Sequence, residues 1–241
     1  KAFLEEIGLE TVNFTNNYHS GFVIENYSGQ FPINDIKLDR GESYVIALEL
    51  KDVNTSTPLD AIERNRDGLI GTLIQSDKDI VVNSGSSNGS FGTGGARDYG
   101  IDQIVDVSRV GKEYILVRGD GNNGWENILV VGHEDGTEIN IYGSSNSTQT
   151  IDSGEYYLIE GDLFSNDGNM YISTNKDVFV YQGTGGGSEA NQEMFFVPPI
   201  SCGSRGDVNN IPFINEIGTK IFNGAVSIAV SYTHLRAHET G

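Results

Sequence analysis

Apolar residues along most of this chain alternate with polar ones or form short runs between turn residues. The runs are bounded by Gly, Asn, Asp and Ser, a combination typical of β-strands joined by turns. Helical spacing of apolar residues is nearly absent, so we predict an all-β protein. The predicted strands lie at residues 44–48, 71–74, 80–82, 114–117, 128–131, 138–142, 156–159, 170–172, 178–181 and 194–197.

Turn residues separate these strands at two informative positions. Asp135-Gly136 lies between two predicted strands and is typical of a tight hairpin turn, because glycine adopts positive φ without strain. The run Asn175-Lys176-Asp177 is expected to form a similar turn between the predicted strands on either side of it.

The chain contains an internal repeat. Residues 75–82 match residues 173–180, and residues 38–44 match residues 151–157, with a Gly-Glu pair at the same place in the second match. Antiparallel strands joined by short turns build sandwiches or propeller blades. We therefore predict two repeated antiparallel β units that are β-sandwich-like, and a β-propeller-like arrangement is the alternative.

The predicted first unit spans residues 1–110 and carries a Gly-rich loop at residues 84–100. The second spans residues 111–229 and carries a Gly-rich loop at residues 183–193. Equivalent loops at one end of repeated β units are common binding sites. The two loops are therefore the predicted functional surface.

The last segment, residues 230–241, differs in composition from the rest of the chain. It holds two of the four histidines and resembles the translated adapter read-through that ends many metagenomic gene fragments. We expect this tail to be non-native and leave His234 and His238 out of any site. A short helix or a metal-binding tail is the alternative.

The chain is strongly acidic, with 34 Asp and Glu against 15 Lys and Arg and a formal net charge of −19. Such a surface repels phosphate backbones and anionic headgroups, so we expect no nucleic-acid partner. No apolar run reaches the ~18 residues of a membrane helix, and we expect no membrane insertion. Cys202 is the single cysteine, which excludes an intrachain disulfide. The start lacks Met and a signal peptide, so we interpret the chain as an internal fragment whose export signal lies upstream.

Several stretches resemble the N-terminal domain family of the IgG Fc-binding protein, in the version found within large secreted proteins of Bacteroidota. They are SDKDIVVNSG at 76–85, GKEY at 111–114, HEDGTEI at 133–139 and NQEMFFVPP at 191–199, in family order within residues 41–212. The resemblance implies a secreted or cell-surface protein with adhesion modules beside this one. It implies no catalytic residues.

Catalytic patterns are weak in this sequence. Outside the tail there are two histidines, His19 and His133, and neither lies in a GxSxG context, so we expect no Ser-His-Asp hydrolase. Among 34 acidic residues, two carboxylates at glycosidase spacing are expected by chance. We therefore predict a non-enzymatic protein, and a carbohydrate-active enzyme is the distant alternative.

Oxygen-bearing side chains alternate along the Gly-rich segment 120–126. Asp120, Asn122 and Glu126 are candidate calcium ligands, because a hard cation needs several oxygens on a tightly curved backbone. We expect no other cofactor. A plain β-turn loop, in which Asn and Gly supply positive φ, is the alternative interpretation.

The first functional hypothesis is a secreted or cell-surface adhesion module that binds a glycan or glycoprotein through the two Gly-rich loops. The candidate ligand-binding residues lie in these loops and in the segment 120–126, and they are Phe91, Arg97, Asp98, Tyr99, Trp125, Glu189 and Asn191. The second hypothesis is a structural spacer that contacts neighbouring domains of a longer surface protein. Convergence of the two loops on one surface favours the first hypothesis.

Overall fold

The computed structural model describes residues 38–43, 70–74, 76–86, 100–119, 121, 123–124, 126–185 and 193–200, and the backbone of 216–217 and 220–221. The chain divides into two compact units, residues 1–77 with 153–155, and residues 78–152 with 156–241. All strands described below belong to the second unit. The predicted boundary after residue 110 falls inside that unit, and a separate β unit for each sequence repeat stays a prediction.

The described elements are antiparallel β-strands and two short 3₁₀ helices, which confirms the all-β prediction. The strands are β1 (Val82–Ser86), β2 (Gly100–Ile104), β3 (Gly111–Val117), β4 (Ile128–Gly132), β5 (Thr137–Tyr142), β6 (Asn146–Ile151), β7 (Tyr156–Ile159), β8 (Asn169–Thr184), β9 (Glu193–Phe196), β10 (Glu216–Ile217) and β11 (Lys220–Ile221). The 3₁₀ helices are Val107–Arg109 and Gly161–Leu163. Strands β3 to β9 form one sheet, while β1 pairs with β2 and β10 with β11.

The large sheet is organised around β8, which has 16 residues and changes partners along its length. Its residues 169–173 pair with β3, and its residues 171–174 pair with β5 on the opposite side. Its residues 178–182 pair with β4, and its residues 181–184 pair with β9. Strand β8 therefore runs through a first sheet half, β3-β8-β5-β6, and a second sheet half, β9-β8-β4-β7.

The two halves meet at a corner that side chains hold in register. Strands β4 and β5 pair with successive parts of β8, so the turn at 133–136 faces residues 175–177 of β8. Asn175 takes the place of a backbone partner there: its Oδ1 accepts the Glu138 N–H at 2.8 Å, and its Nδ2 donates to the Gly136 carbonyl at 3.3 Å. The Gly136 N–H donates to the Asp152 carboxylate at 2.7 Å.

Two turn predictions are wrong in part. Gly136 has the expected positive φ of 64°, but β4 and β5 form no hairpin because each pairs with β8 and not with the other. Asn175-Lys176-Asp177 is not a turn, since it lies inside β8, and the predicted strands on either side of it are one strand.

The remaining strand predictions differ in accuracy. Residues 72–74 are not in a strand, and the strand predicted at 80–82 begins only at Val82. The strand predicted at 44–48 lies outside the described residues. The others fall within β3, β4, β5, β7, β8 and β9, or within one residue of them.

The hydrophobic core lies between the two sheet halves. Buried and more exposed residues alternate in β5, in the second part of β3 and in the first part of β8, as the period-two pattern predicts, whereas β4 and residues 180–183 of β8 are buried at successive positions. The most completely buried apolar side chains are Tyr114, Leu116, Ile128, Val130, Ile139, Ile141, Ile159, Met170, Ile172, Val178 and Val180. Each aliphatic side chain of this set contributes about 1.5–3 kcal/mol by leaving water. Strands β3 to β9 thus form one antiparallel sheet folded around a single core, and the choice between sandwich-like and propeller-like units stays a prediction.

Candidate functional site

The far ends of the two sheet halves, away from the corner, are joined by polar contacts. The buried side chain of Gln182, in the second half, donates from Nε2 to the Val117 carbonyl at the end of β3 in the first half, at 2.9 Å. The Ser144 N–H after β5 donates to the Leu163 carbonyl at 2.8 Å. We name this region the loop end and define it as residues 118–119, 121, 123–124, 126–127, 143–145, 161–163 and 183–185.

A buried carboxylate organises the loop end. The side chain of Glu126 is 0% exposed. Its Oε2 accepts the Gly119 N–H at 2.7 Å, while its Oε1 accepts the Gly121 N–H at 2.7 Å and the Gly185 N–H at 3.4 Å. Charge-assisted bonds of this kind offset the cost of burying a carboxylate. Glu126 therefore joins the β3–β4 loop to Gly185, the residue that follows β8.

Close backbone packing makes glycine necessary in this region. A Cβ on Gly121 would lie 1.8 Å from the Gly185 carbonyl oxygen, and one on Gly161 would lie 2.5 Å from the Asn123 carbonyl oxygen. Asn127 completes the arrangement, because its Oδ1 accepts the Gly161 N–H at 2.9 Å. Its own carbonyl accepts the Gly183 N–H at 2.9 Å. The β3–β4 loop is thus joined to Gly161 and to the end of β8 by close backbone contacts as well as by the Glu126 side chain.

The strands that carry the two Gly-rich loops are neighbours. Strands β1 and β2 form a hairpin whose last pair is Ser86 and Gly100, and β8 and β9 form a second hairpin whose last pair is Thr184 and Glu193. The Phe196 N–H in β9 donates to Oδ2 of Asp102 in β2 at 2.6 Å. The hairpins that lead into the two loops therefore lie side by side.

Tyr181 lies at this junction. Its ring packs edge-on against Phe196 with the centroids 5.7 Å apart, and the residue is 5% exposed. Within the described part of the chain, its hydroxyl group has no hydrogen-bond partner. Burial, and secondly the negative charge of Asp102, raise the pKa of Tyr181 well above the ordinary phenol value. The hydroxyl group therefore stays protonated at physiological pH.

A model of the family described as IgGFc binding protein matches residues 11–238. The chain belongs to this family. Comparison with curated proteins found no match, and comparison with solved structures found none either. The match confirms the family resemblance of the four sequence stretches.

Membership of the IgGFc binding protein family bears on two further predictions. The family description names a binding activity, which agrees with the prediction of a binding module.

The matched range includes residues 230–238, most of the C-terminal tail, and the non-native origin of this tail stays a prediction. Among the residues that the structure describes, no helix is long and apolar enough to cross a membrane.

Most predicted site residues of this family member lie outside the described residues. They are Phe91, Arg97, Asp98, Tyr99, Trp125, Glu189 and Asn191, together with the candidate calcium ligands Asp120 and Asn122. Glu126 is described, and both of its carboxylate oxygens accept backbone N–H groups. In the described ranges no group of three or more His, Cys, Asp or Glu side chains is placed to hold a metal ion. The calcium role of segment 120–126 stays a prediction.

Sequence reasoning singled out Glu126 but missed its partners. The spacing of oxygen side chains shows which acceptors a loop has, whereas the N–H donors here come from glycines in two different loops. Gln182 and Asn127 were missed altogether, because a polar residue beside an apolar strand gives no sequence signal of burial. The glycines at 119, 121, 183 and 185 were the available signal of close backbone approach.

Proposed function

We propose that this chain is a non-enzymatic binding module of a secreted or cell-surface protein and that it recognises a glycan or glycoprotein with the two Gly-rich loops, residues 84–100 and 183–193. The observation that carries this proposal is the Glu126 carboxylate, which fixes the β3–β4 loop to the base of the second Gly-rich loop. A rigid base favours binding, because each flexible side chain that must be ordered costs about 0.5–1.5 kcal/mol.

Two further observations support ligand binding by the Gly-rich loops. The contact between Phe196 and Asp102 brings the hairpins of both Gly-rich loops together, so the loops can act on one ligand. The net charge of −19 favours a ligand without strong negative charge. On this proposal, the rings of Phe91 and Tyr99 supply apolar contacts to the ligand, and Glu189 and Asn191 supply polar ones.

We propose binding without catalysis because the Glu126 carboxylate is buried and already hydrogen-bonded. A catalytic carboxylate must reach the reacting atoms of its substrate. Glu126 is fully enclosed and directs its oxygens at the N–H groups of its own loops. The family description likewise names binding.

The test measures binding of the 241-residue chain to a glycan array and to immobilised glycoproteins, with IgG Fc among the probes. The loop variant carries Glu189→Ala and Asn191→Ala. Its matched control is Glu134→Ala, which removes an exposed carboxylate at the corner of the sheet. We expect the control to bind like the native chain and the loop variant to bind about tenfold more weakly or worse.

Two results count against the proposal in different ways. If the native chain binds none of the probes, the chain acts as a spacer in a longer surface protein. If the loop variant binds as well as the control, the ligand lies on another surface of the chain.

A further inference from the structure

The outer face of the first sheet half carries an ordered array of polar and aromatic side chains. Cross-strand pairing over β3, β8, β5 and β6 aligns them in two rows. One row contains Ile115, Tyr171, Tyr142 and Asn146, and the next contains Glu113, Ser173, Asn140 and Thr148. We name these two rows the tyrosine face.

Two stacked rings lie in the middle of the tyrosine face. The centroids of Tyr142 and Tyr171 are 5.6 Å apart, and the ring planes differ by 28°. Tyr142 is 43% exposed although it sits on an inner strand of the sheet half, between β8 and β6. Paired rings stabilise a sheet by about 0.2–1 kcal/mol in their own right. The ring of Tyr142 is therefore open to solvent, beside the half-buried ring of Tyr171.

The polar groups around the rings are held in fixed orientations. Tyr171 Oη donates to Glu113 at 2.5 Å, and this hydrogen bond is the main cause that raises the pKa of Tyr171 to about 12. Thr148 Oγ1 donates to Asn140 Oδ1 at 2.8 Å, and Asn140 Nδ2 donates to Glu138 at 3.0 Å. All three hydrogen bonds lie at the surface, where water could satisfy the same polar groups. Fixed donors and acceptors lose less conformational entropy when a ligand binds.

We infer that the tyrosine face binds an uncharged saccharide, a hexose or N-acetylhexosamine unit of a glycan. The C–H groups on one side of a pyranose ring form an apolar, electron-poor surface that packs on the electron-rich face of an aromatic ring. The hydroxyl groups at the edge of the sugar meet the carboxylate of Glu113, the amide of Asn140 and the hydroxyl of Ser173. The tyrosine face borders the loop end, since Tyr142 and Asn146 flank residues 143–145. It contains none of the Gly-rich loop residues named under the proposed function, so the inference does not rest on that proposal.

Charge selects among the ligands that could stack on the rings. Glu113 and Glu138 make this face negative, and the whole chain carries a net charge of −19. Sialic acids, uronic acids and sulfated sugars are repelled by these carboxylates. A nucleobase could also stack on tyrosine, but its phosphates are repelled in the same way. The charge therefore leaves a neutral sugar as the favoured ligand.

The test uses saturation-transfer NMR on the 241-residue chain with millimolar neutral oligosaccharides of hexose and N-acetylhexosamine, and with their sialylated and sulfated forms. We expect transfer to the ring protons of neutral sugars and weak or no transfer to the charged forms. Tyr142→Ala should raise the Kd by about tenfold, the usual contribution of one stacking ring, whereas Tyr142→Phe should stay close to the native value.

Further variants keep the test decisive. Tyr142 is exposed, so its alanine variant should fold, and thermal melting checks this. Thr148→Val removes the donor to Asn140 with little change of shape, and it should also weaken binding. The Glu189→Ala, Asn191→Ala loop variant should keep the millimolar binding of these oligosaccharides at the tyrosine face, even where it loses the ligand of the Gly-rich loops. The inference is overturned if no neutral saccharide binds, if Tyr142→Ala binds with native affinity, or if the charged forms bind as well as the neutral ones.

Discussion

The Oε1 atom of Glu126 accepts the backbone N–H of Gly121 at 2.7 Å in the interior of the protein. The same atom reaches the N–H of Gly185, which lies beyond the end of β8. One side chain thus connects two loops that are far apart in the sequence. The three donors are backbone N–H groups of Gly119, Gly121 and Gly185, so the connection between the two loops depends on the Glu126 side chain.

Glu126→Gln tests this dependence. The amide has the shape of the carboxylate, but its NH₂ group must face an N–H donor of Gly119 or of Gly121. We expect the free energy of unfolding in urea to fall by about 1–3 kcal/mol, the cost of an unsatisfied buried polar group.

Glu160→Gln is the matched control for Glu126→Gln. Glu160 is exposed at the N-cap of the second 3₁₀ helix and makes no capping hydrogen bond with its side chain. Its substitution should change stability by less than about 0.5 kcal/mol. Equal effects of the two substitutions would show that the carboxylate of Glu126 does not support the loops.

Asn175→Ala tests the corner of the sheet. The substitution removes the acceptor of the Glu138 N–H and the donor to the Gly136 carbonyl. We expect a loss of about 1–2 kcal/mol in thermal or urea unfolding. Hydrogen exchange of the Glu138 amide should become faster, because that amide loses its partner.

Asn166→Ala, in the exposed turn before β8, serves as the control for the corner. It should leave both the stability and the exchange of the Glu138 amide unchanged. Unchanged exchange in Asn175→Ala would contradict the assignment of Asn175 as the side-chain partner of β5.

Tyr114 should make the protein sensitive to alkaline pH. Burial, opposed in part by the Gly111 hydrogen bond, raises the pKa of Tyr114 to about 12, and its hydroxyl donates to the Val178 carbonyl. The unfolded chain releases this proton near the ordinary value of 10.0. The stabilisation is therefore fully present below pH ~10 and is lost as the pH rises through ~10 towards ~12.

The pH dependence of urea unfolding, followed from pH ~8 to pH ~11, measures this effect. The native protein should lose about 1.4 kcal/mol over that range through Tyr114. Tyr114→Phe should start from a lower stability, because the Val178 carbonyl loses its donor, but it should lose less on going to high pH. Parallel curves for the two proteins would refute the role of Tyr114.

The alternation of apolar residues was sufficient to predict the inner strands of the sheet. Strand β5 shows this best, because Ile139 and Ile141 point into the core and Glu138 and Asn140 point out. Strand β6 was missed because its sequence, NSTQTI, holds one apolar residue, and its pairing with β5 is what makes it a strand. The turn predicted at Asn175-Lys176-Asp177 was wrong because local propensity does not show which partners a side chain finds. Asn175 has the propensity of a turn residue, yet its side chain makes the bonds that keep the strand extended.

The candidate site was less predictable than the sheet. The Gly-rich composition indicated where the loops are, since glycine permits the approach of Gly121 to the Gly185 carbonyl. The tyrosine face could not be predicted from local patterns, because Tyr142 and Tyr171 are brought together by cross-strand register alone.

Calcium tests the remaining interpretation of segment 120–126. Both oxygens of Glu126 already accept short N–H bonds, so a calcium ion would have to compete with Gly119 and Gly121 for them. We therefore expect a thermal melt of the chain to show the same midpoint in calcium and in chelator, whereas a ligand that binds only the folded state raises the midpoint. A clear rise in calcium that Asp120→Asn abolishes would instead establish Asp120, Asn122 and Glu126 as a metal site, and the glycan array should then be repeated in calcium buffer.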